Sequence, residues 1–150
     1  MNNSDIWNRR FLDLAIFISN WSKDPSSKVG AVIVDSNRRV IATGYNGLAR
    51  NVHDDGERLE NRELKYKLTL HAEENAILFS RRDLTGCSIY ISEMPPCSHC
   101  AALIIQSGIV DVYAPDKPIS DRWTQSVELT KMMFNEAGVR LHFVSDVVSD

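Results

Sequence analysis

The segment VGAVIVD, residues 29–35, constrains the fold more than any other part of the chain. It is a nearly continuous run of apolar residues rich in β-branched side chains, which is typical of a strand buried on both faces. Such a strand requires layers of structure above and below the sheet. The turn-like SNRR and the apolar VIATGY follow it directly, so we predict a hairpin whose second strand is VIATGY.

Helical and strand patterns alternate through the rest of the chain. After the helical HAEENAILFS come the strand-like CSIYIS, the helical CSHCAALIIQSG, the strand-like VDVYA, a helix over about 121–136 and the strand-like VRLHFV. Gly108 and Gly138 stand where the last two helices should end. The predicted element order is αββαβαβαβ, and helices between the later strands imply that those strands pair in parallel.

A first helix is predicted before VGAVIVD, because apolar residues recur there at helical spacing. We expect this stripe to be core, and it consists of Trp7, Phe11, Leu14, Ile18 and Trp21. Pro25 and the serines of SKDPSSK then end the helix. The predicted fold class is α/β, a three-layer helix–sheet–helix sandwich around a mixed five-stranded sheet.

Length and composition fit a single domain over residues 1–150. The net charge of −3 provides no overall basic field, so we expect no nucleic-acid partner. Three cysteines, two of them in one C-x-x-C, favour a reducing compartment over a disulfide framework. The N-terminus lacks a signal-peptide pattern, and no apolar run approaches the roughly 20 residues of a membrane span. We expect a cytoplasmic protein without a membrane partner, in the host cytoplasm if it is viral.

His71, Cys97 and Cys100 form a candidate metal site. Zinc takes imidazole and thiolate ligands, and catalytic zinc sites supply three protein ligands and leave one position for water. All three residues fall at the start of a predicted helix, where the helix dipole favours thiolate over thiol. A redox role for C-x-x-C would leave the histidine unused, and a structural zinc site would need a fourth ligand, for which His99 is the candidate.

Glu73 follows His71 by two residues, so its carboxylate can approach a metal-bound water without binding the metal. A carboxylate in that position can accept the proton of the water and pass it on. The N–H of Ala72 is free at the predicted helix start and can donate to a substrate carbonyl. H-x-E followed by P-C-x-x-C, here HAE and PCSHC, is the signature of zinc-dependent nucleobase deaminases.

The chain resembles the deoxycytidylate (dCMP) deaminases of the cytidine deaminase-like superfamily over about residues 11–143. The matching segments are SKDPSSKVGAVIV, GYNG, HAEENAI, CSIYI, PCSHCAALIIQSGI and FNEAGV. The resemblance implies a zinc ion and hydrolysis of dCMP to dUMP and ammonia by zinc-bound hydroxide, which would supply dUMP for thymidylate synthesis. Glu73 would protonate N3 and then the leaving amine. Asn46 resembles the asparagine that holds the nucleotide, although Asn-Gly is also a turn signal.

A dCMP deaminase needs groups that receive the 5′-phosphate. Lys23, Ser26 and Lys28 in the SKDPSSK loop are the candidates, although lysines in such a loop can also be simply solvated. Trp123 and Tyr66 are candidates for the pocket, the core or an interface. The polar stretch over residues 48–68 is expected to be a solvated loop with a short helix, or alternatively a lid over the pocket.

The resemblance also implies a homo-oligomer, often a hexamer, activated by dCTP and inhibited by dTTP, with Mg²⁺ accompanying these triphosphates. The effector site would lie near GYNG, which is Gly44, Tyr45, Asn46 and Gly47. GYNG is followed by LAR where a proline is frequent in the family. The next loop lacks the cysteine–histidine pair with which some members bind a second zinc, so we predict one zinc ion per chain.

Other functions are consistent with parts of this pattern. The alternatives are a deaminase of dCTP, 5-modified dCMP or cytidine, a deaminase of tRNA or another nucleic acid, and a zinc-stabilised binding module. A nucleic-acid deaminase needs a basic groove for the strand, which an acidic chain does not favour.

Overall fold

The structure is a computed structural model that describes residues 2–145. Its helices are α1 (Asn3–Ser19), α2 (Gly56–Glu60), α3 (Arg62–Leu68), α4 (Ala72–Ser80), α5 (Ser98–Ser107) and α6 (Asp121–Ala137). Its strands are β1 (Gly30–Val34), β2 (Val40–Tyr45), β3 (Gly47–Leu48), β4 (Thr69–Leu70), β5 (Ser88–Ile91), β6 (Asp111–Pro115) and β7 (Arg140–Val144).

The main sheet has five strands in the order β2-β1-β5-β6-β7. Strand β1 pairs antiparallel with both β2 and β5, whereas β5, β6 and β7 are parallel. The parallel strands are those that the sequence separates by helices, and the antiparallel pair β1–β2 is the predicted hairpin. The predicted mixed five-stranded α/β fold is confirmed.

Strand β1 is buried along its whole length, as the VGAVIVD pattern predicts. Ala31 and Ile33 belong to a core cluster shared with α4, α5 and α6, and Val32 and Val34 to a second cluster shared with α1. Because successive strand residues face opposite sides, the helices cover both faces of the sheet and form three layers.

The predicted stripe on α1 is only partly correct. Phe11 and Ile18 are buried, but Trp21 is 51% exposed because α1 ends at Ser19. Leu12 is fully buried between the helix and the sheet, although it lies outside the predicted stripe.

Two glycines let helices pack directly on the backbone of the hairpin. A methyl group on Gly30 would overlap the carbonyl oxygen of Ala15 in α1, and one on Gly44 would overlap the carbonyl oxygen of Ala72 in α4. Because Ala72 is the first residue of α4, the contact at Gly44 fixes the start of α4 against β2.

Residues 48–68 contain more secondary structure than the predicted solvated loop with a short helix. They contain α2 and α3, and β3 pairs antiparallel with β4 in a separate two-stranded sheet. Both helices begin with a side-chain cap, in which Asp55 accepts from Arg58 N and Asn61 accepts from Leu64 N. In the described part of the chain, no helix is long and apolar enough to cross a membrane.

Candidate active site

The candidate site is built from the first residues of two helices. His71 is the N-cap of α4 and Cys97 is the N-cap of α5, and both have extended backbone dihedrals. The carboxylate of Glu74 accepts a hydrogen bond of 2.9 Å from His71 N, which fixes the start of α4. Cys100 lies in the first turn of α5 and is fully buried. The predicted helix starts therefore place the three residues together.

The geometry of these three side chains fits a tetrahedral metal ion. Their ligand atoms lie within 4.8 Å of one another, and His71 Nδ1 is 3.2 Å from Cys100 Sγ and 3.5 Å from Cys97 Sγ. Zinc bonds of about 2.3 Å to sulfur and about 2.05 Å to nitrogen separate such ligands by about 3.6 Å. His99 is 73% exposed and lies outside the group, with Nε2 3.9 Å from Glu74 Oε2, so it does not close the site.

The pKa values of the three candidate ligands are shifted in directions that favour binding of a cation. The hydrogen bond with Cys100 lowers the pKa of Cys97 to about 4, against the effect of burial. The hydrogen bond to Cys97 raises the pKa of His71 to about 9. The neighbouring sulfur and burial raise the pKa of Cys100 far above that of an ordinary thiol. One sulfur therefore keeps the proton because two adjacent thiolates repel, and a divalent cation would remove that repulsion.

Glu73 lies beside this group on the first turn of α4. Its side chain is only 5% exposed. Burial raises the pKa of the carboxyl group, and the opposing charge of His71 lowers it. A buried carboxyl with a raised pKa holds a proton more readily than an exposed one, which suits a general acid–base.

One cavity connects the candidate metal ligands with the loop and helices above them. His71, Ala72, Glu73 and Cys97 all line it. The remaining wall includes the loop residues Asp24, Ser26, Ser27 and Asn46, Lys65 and Tyr66 from α3, and Arg122 and Trp123 from α6. Tyr66 and Trp123 thus lie at the cavity, and α3, which belongs to the segment of the lid alternative, forms part of the cavity wall.

Asn46 lies on the cavity wall and is 7% exposed. Its Oδ1 accepts from Val29 N at 2.9 Å, and its Nδ2 donates to Ser27 O at 2.8 Å. The amide therefore fixes the loop before β1. One N–H and one lone pair of this side chain are not used in these two hydrogen bonds.

Of the three predicted phosphate ligands, the structure brings only Ser26 to the cavity. The side chain of Lys23 is 71% exposed and points away to Asp54, with its Nζ 2.6 Å from Asp54 Oδ2. Lys28 donates instead to the carbonyl oxygen of Ser22. Loop composition alone does not indicate which side of a loop a lysine takes, and here both lysines have partners outside the cavity.

Lys65 is a cavity residue that the sequence does not single out. It comes from the charged stretch of α3, yet only 6% of its surface is exposed. Its Nζ donates to Ser26 Oγ at 2.7 Å and lies 3.1 Å from Asp24 Oδ1. Nothing in a run of alternating charges distinguishes the one lysine that turns inward.

The GYNG segment touches two cavities. Asn46 faces the cavity with the candidate metal ligands, whereas Gly44, Tyr45 and Gly47 line a second cavity together with Asn75. Asn75 Nδ2 donates to Tyr45 O at 2.8 Å, which links the end of β2 to α4.

The fold and this site define a class of protein: a zinc-dependent nucleobase deaminase, with three candidate metal ligands and an adjacent glutamate at the starts of two helices. The family described as "Cytidine and deoxycytidylate deaminase zinc-binding region" matches residues 5–115. The chain belongs to this family, and the resemblance predicted from its motifs is confirmed.

Individual relatives are similar to this chain over most of its length. The chain is 46% identical over 137 residues to an "Uncharacterized deaminase in luxG 3'region" of Aliivibrio fischeri, covering 90% of this chain and 91% of that one. It is 40% identical over 141 residues to human deoxycytidylate deaminase, covering 89% and 76%. The dCMP deaminase of cyanophage S-TIM5 has the same fold, with a TM-score of 0.72 at 23% identity over 95% of this chain and 99% of that one.

Proposed function

We propose that this protein catalyses the hydrolytic deamination of dCMP to dUMP and ammonia. The observation that carries the proposal is the meeting of His71 Nδ1 and the sulfurs of Cys97 and Cys100 within 4.8 Å, beside the buried Glu73, on one cavity. The substrate follows from relatives named deoxycytidylate deaminase at 40% identity. A cyanophage deaminase of the same fold has been solved with dCMP and dUMP.

His71, Cys97 and Cys100 would hold one zinc ion per chain. When bound, zinc supplies a Lewis acid that lowers the pKa of a water ligand to about 7. The C-x-x-C spacing places one sulfur at the N-cap and one in the first turn of α5, so one helix start provides two of the three ligands.

Glu73 would move the protons of the reaction. Its buried carboxylate accepts a proton from the attacking water and donates it to N3 of the cytosine ring. It then takes a second proton from the hydroxyl group added at C4 and delivers it to the amine, which leaves as ammonia. Ala72 begins α4, where backbone N–H groups have no intrahelical partner, and we assign its N–H to the carbonyl of the base. The unused N–H and lone pair of Asn46 are assigned to the sugar of the nucleotide.

Incubation of the purified protein with dCMP, with dUMP and ammonia as the measured products, tests the proposal. Parallel reactions with deoxycytidine, cytidine, dCTP and 5-methyl-dCMP separate the alternative substrates, and a single-stranded oligonucleotide tests the nucleic-acid alternative. A higher kcat/KM for dCMP than for the others is expected. Absence of product from every substrate would leave the binding module, and equal kcat/KM for dCMP and deoxycytidine would reject the nucleotide assignment.

The protein is further proposed to be a homo-oligomer, with a hexamer as the expected form, regulated by dCTP and dTTP with Mg²⁺. Exposed aromatic side chains support an interface: Phe17, Trp21 and Tyr45 form a row with ring centroids 5.9 and 6.2 Å apart. Each is more than 40% exposed, which is unusual for three adjoining aromatics on a monomer. Tyr45 also lines the second cavity, the proposed effector site.

The remaining proposals concern the whole chain. Residues 1–150 would act as one deaminase domain, because the five-stranded sheet draws its strands from residues 30–144. The expected location is the cytoplasm, or the host cytoplasm for a virus-encoded chain, where dUMP would feed thymidylate synthesis.

A further inference from the structure

Thr69 belongs to the wall of the cavity that carries the candidate metal ligands. It is the C-cap of α3 and the first residue of β4, and its backbone N–H donates to the carbonyl oxygen of Lys65. Among the buried side-chain nitrogen and oxygen atoms of residues 2–145, Thr69 Oγ1 is the one without a hydrogen bond. Because an unpaired buried hydroxyl costs free energy, a partner from outside the chain would be stabilising here.

Thr69 is held at a fixed distance from the candidate metal ligands by the extended chain between them. His71 follows two residues later, and both residues line the cavity, whereas Leu70 between them lines the second cavity. Successive residues of an extended strand take opposite sides and rise about 3.3 Å each, so Thr69 lies about 7 Å along the strand from His71. Asn46, which precedes β3, also lines the cavity, and β3 pairs with β4.

The Thr69 hydroxyl suits a partner that is both a donor and an acceptor. A threonine hydroxyl can donate one hydrogen bond and accept others, and residues 2–145 use neither capacity. The sugar of dCMP offers such a group, its one free hydroxyl at C3′, whereas phosphate oxygens only accept and are bound best by charged donors. The cytosine ring must lie beside Glu73 for the reaction, so the sugar extends along the wall away from the candidate metal ligands.

Resting on the proposed deamination of dCMP, we propose that the Thr69 hydroxyl binds the 3′-hydroxyl of the nucleotide and thereby positions the sugar beside Asn46. The Thr69 hydroxyl reaches the cavity by rotating about the Cα–Cβ bond between staggered rotamers. This rotation breaks no hydrogen bond with residues 2–145, because Oγ1 makes none there. Valine has nearly the same shape and no polar group, so threonine at this position costs stability in the free protein and contributes to binding.

The test measures two properties of Thr69→Val and Thr69→Ser. One is the ratio of the equilibrium affinities for dUMP and for 2′,3′-dideoxyuridine monophosphate, which differ only in the 3′-hydroxyl. The other is the free energy of unfolding without nucleotide, for which Thr130→Val is the matched control. Thr130 Oγ1 is also buried, but it donates at 2.8 Å to the carbonyl oxygen of Pro96. Neither property depends on turnover, so a wild type that binds dUMP but does not deaminate dCMP rejects the proposed function and still allows Thr69 to be tested.

Thr69→Val is expected to lower the affinity ratio at least about threefold, through the loss of one neutral hydrogen bond, and to be at least as stable as the wild type. Thr69→Ser keeps the hydroxyl and should keep the ratio within about twofold. Thr130→Val should lose stability, because its hydroxyl has a partner. A smaller change of the ratio in Thr69→Val would overturn the proposal, and so would a wild type that binds dUMP no more tightly than the dideoxy nucleotide. A loss of stability in Thr69→Val as large as that in Thr130→Val would also overturn it.

Discussion

Lys65 Nζ lies 3.1 Å from Asp24 Oδ1, and both side chains are more than nine-tenths buried. The same Asp24 oxygen accepts hydrogen bonds from Ser26 N at 2.9 Å and Ser27 N at 3.0 Å. The pair therefore ties α3 to the loop that forms one wall of the cavity.

Replacement of Lys65 by methionine should destabilise the protein strongly. The change removes the cation and leaves the Asp24 carboxylate buried, and breaking a buried pair costs about 3–5 kcal/mol. Urea unfolding gives the free energy of unfolding for both proteins. Lys23→Met is the matched control, because Lys23 pairs with Asp54 at the surface and its loss should change stability little. Equal losses of unfolding free energy in the two variants would contradict the expectation that the buried ion pair matters more than the exposed one.

The stability of the protein should fall in acid, partly because of Asp24. Burial acts to raise the pKa of this carboxyl, but hydrogen bonds from Ser26 N, Ser27 N and Lys65 outweigh it and leave the pKa below its usual value. A carboxyl of lowered folded-state pKa stabilises the fold above about pH 4 and loses that effect as the pH falls through its folded-state pKa.

Unfolding free energies of the wild type and Asp24→Asn, measured between about pH 5 and about pH 3, isolate this contribution. The wild type should lose more stability over that range than the variant. Other carboxyls with lowered pKa values are common to both proteins, so they cancel in the difference. Parallel pH dependences would show that Asp24 has an ordinary pKa in the folded protein.

Cys97→Ala should lose nearly all of the bound zinc, because it removes one of three donor atoms that lie within 4.8 Å of one another. Metal analysis of the purified proteins measures the effect, and the wild type is expected to contain about one zinc per chain. Cys87→Ala should keep its zinc, since Cys87 is buried outside this group. Full zinc in Cys97→Ala would remove this residue from the site.

Glu73→Gln should keep the zinc and the fold and lose activity. Glutamine has nearly the same size but cannot carry protons, and the loss of general acid–base catalysis alone costs about 10²–10⁴-fold in kcat. Because Glu73 would serve several proton transfers, the upper end of that range or more is expected.

The neighbouring Glu74→Gln is the matched control for Glu73→Gln. Its amide oxygen can still accept the hydrogen bond from His71 N, so its activity should stay within about tenfold of the wild type. If Glu73→Gln retained as much activity as Glu74→Gln, another group would be the base.

Allosteric coupling should pass through α4, which carries Glu73 at one cavity and Asn75 at the other. The dCMP saturation curve should be sigmoidal. Addition of dCTP should make it more hyperbolic, and dTTP should have the opposite effect. The coupling free energy between effector and substrate binding is expected to be about 1–3 kcal/mol. Asn75→Ala, which breaks the hydrogen bond to Tyr45 O, should weaken the shift produced by either triphosphate. Hyperbolic curves that neither nucleotide moves would identify an unregulated enzyme without affecting the catalytic assignment.

Periodic patterns in the sequence predicted the layered parts of the fold well. Strand β1 lies within VGAVIVD, and α6 spans Asp121–Ala137 against a prediction of about 121–136. Both elements have strong apolar patterns and clear ends, such as Gly138 in the left-handed conformation. The meeting of the three candidate metal ligands was also predictable, because each of them lies at a helix start that the local sequence defines.

The walls of the cavity were not predictable in the same way. Lys65 and Lys23 are both lysines in polar segments, yet one is buried against Asp24 and the other is exposed. Their difference depends on how α3 packs over the loop before β1, a tertiary contact that no local pattern encodes. The two-residue strands β3 and β4 are too short to produce a period, and so they also escaped prediction.

The hydrogen-bonded pair of His71 and Cys97 joins two helix starts that lie 26 residues apart in the chain. If these residues share a metal ion, they form a cross-link that closes a loop containing all of α4 and β5. Such a closure reduces the freedom of the unfolded chain much as a disulfide does, but it can form in a reducing compartment. The three residues would then join two helices on one face of the sheet as well as form a reaction centre, and a chelator would loosen the fold before any substrate is present.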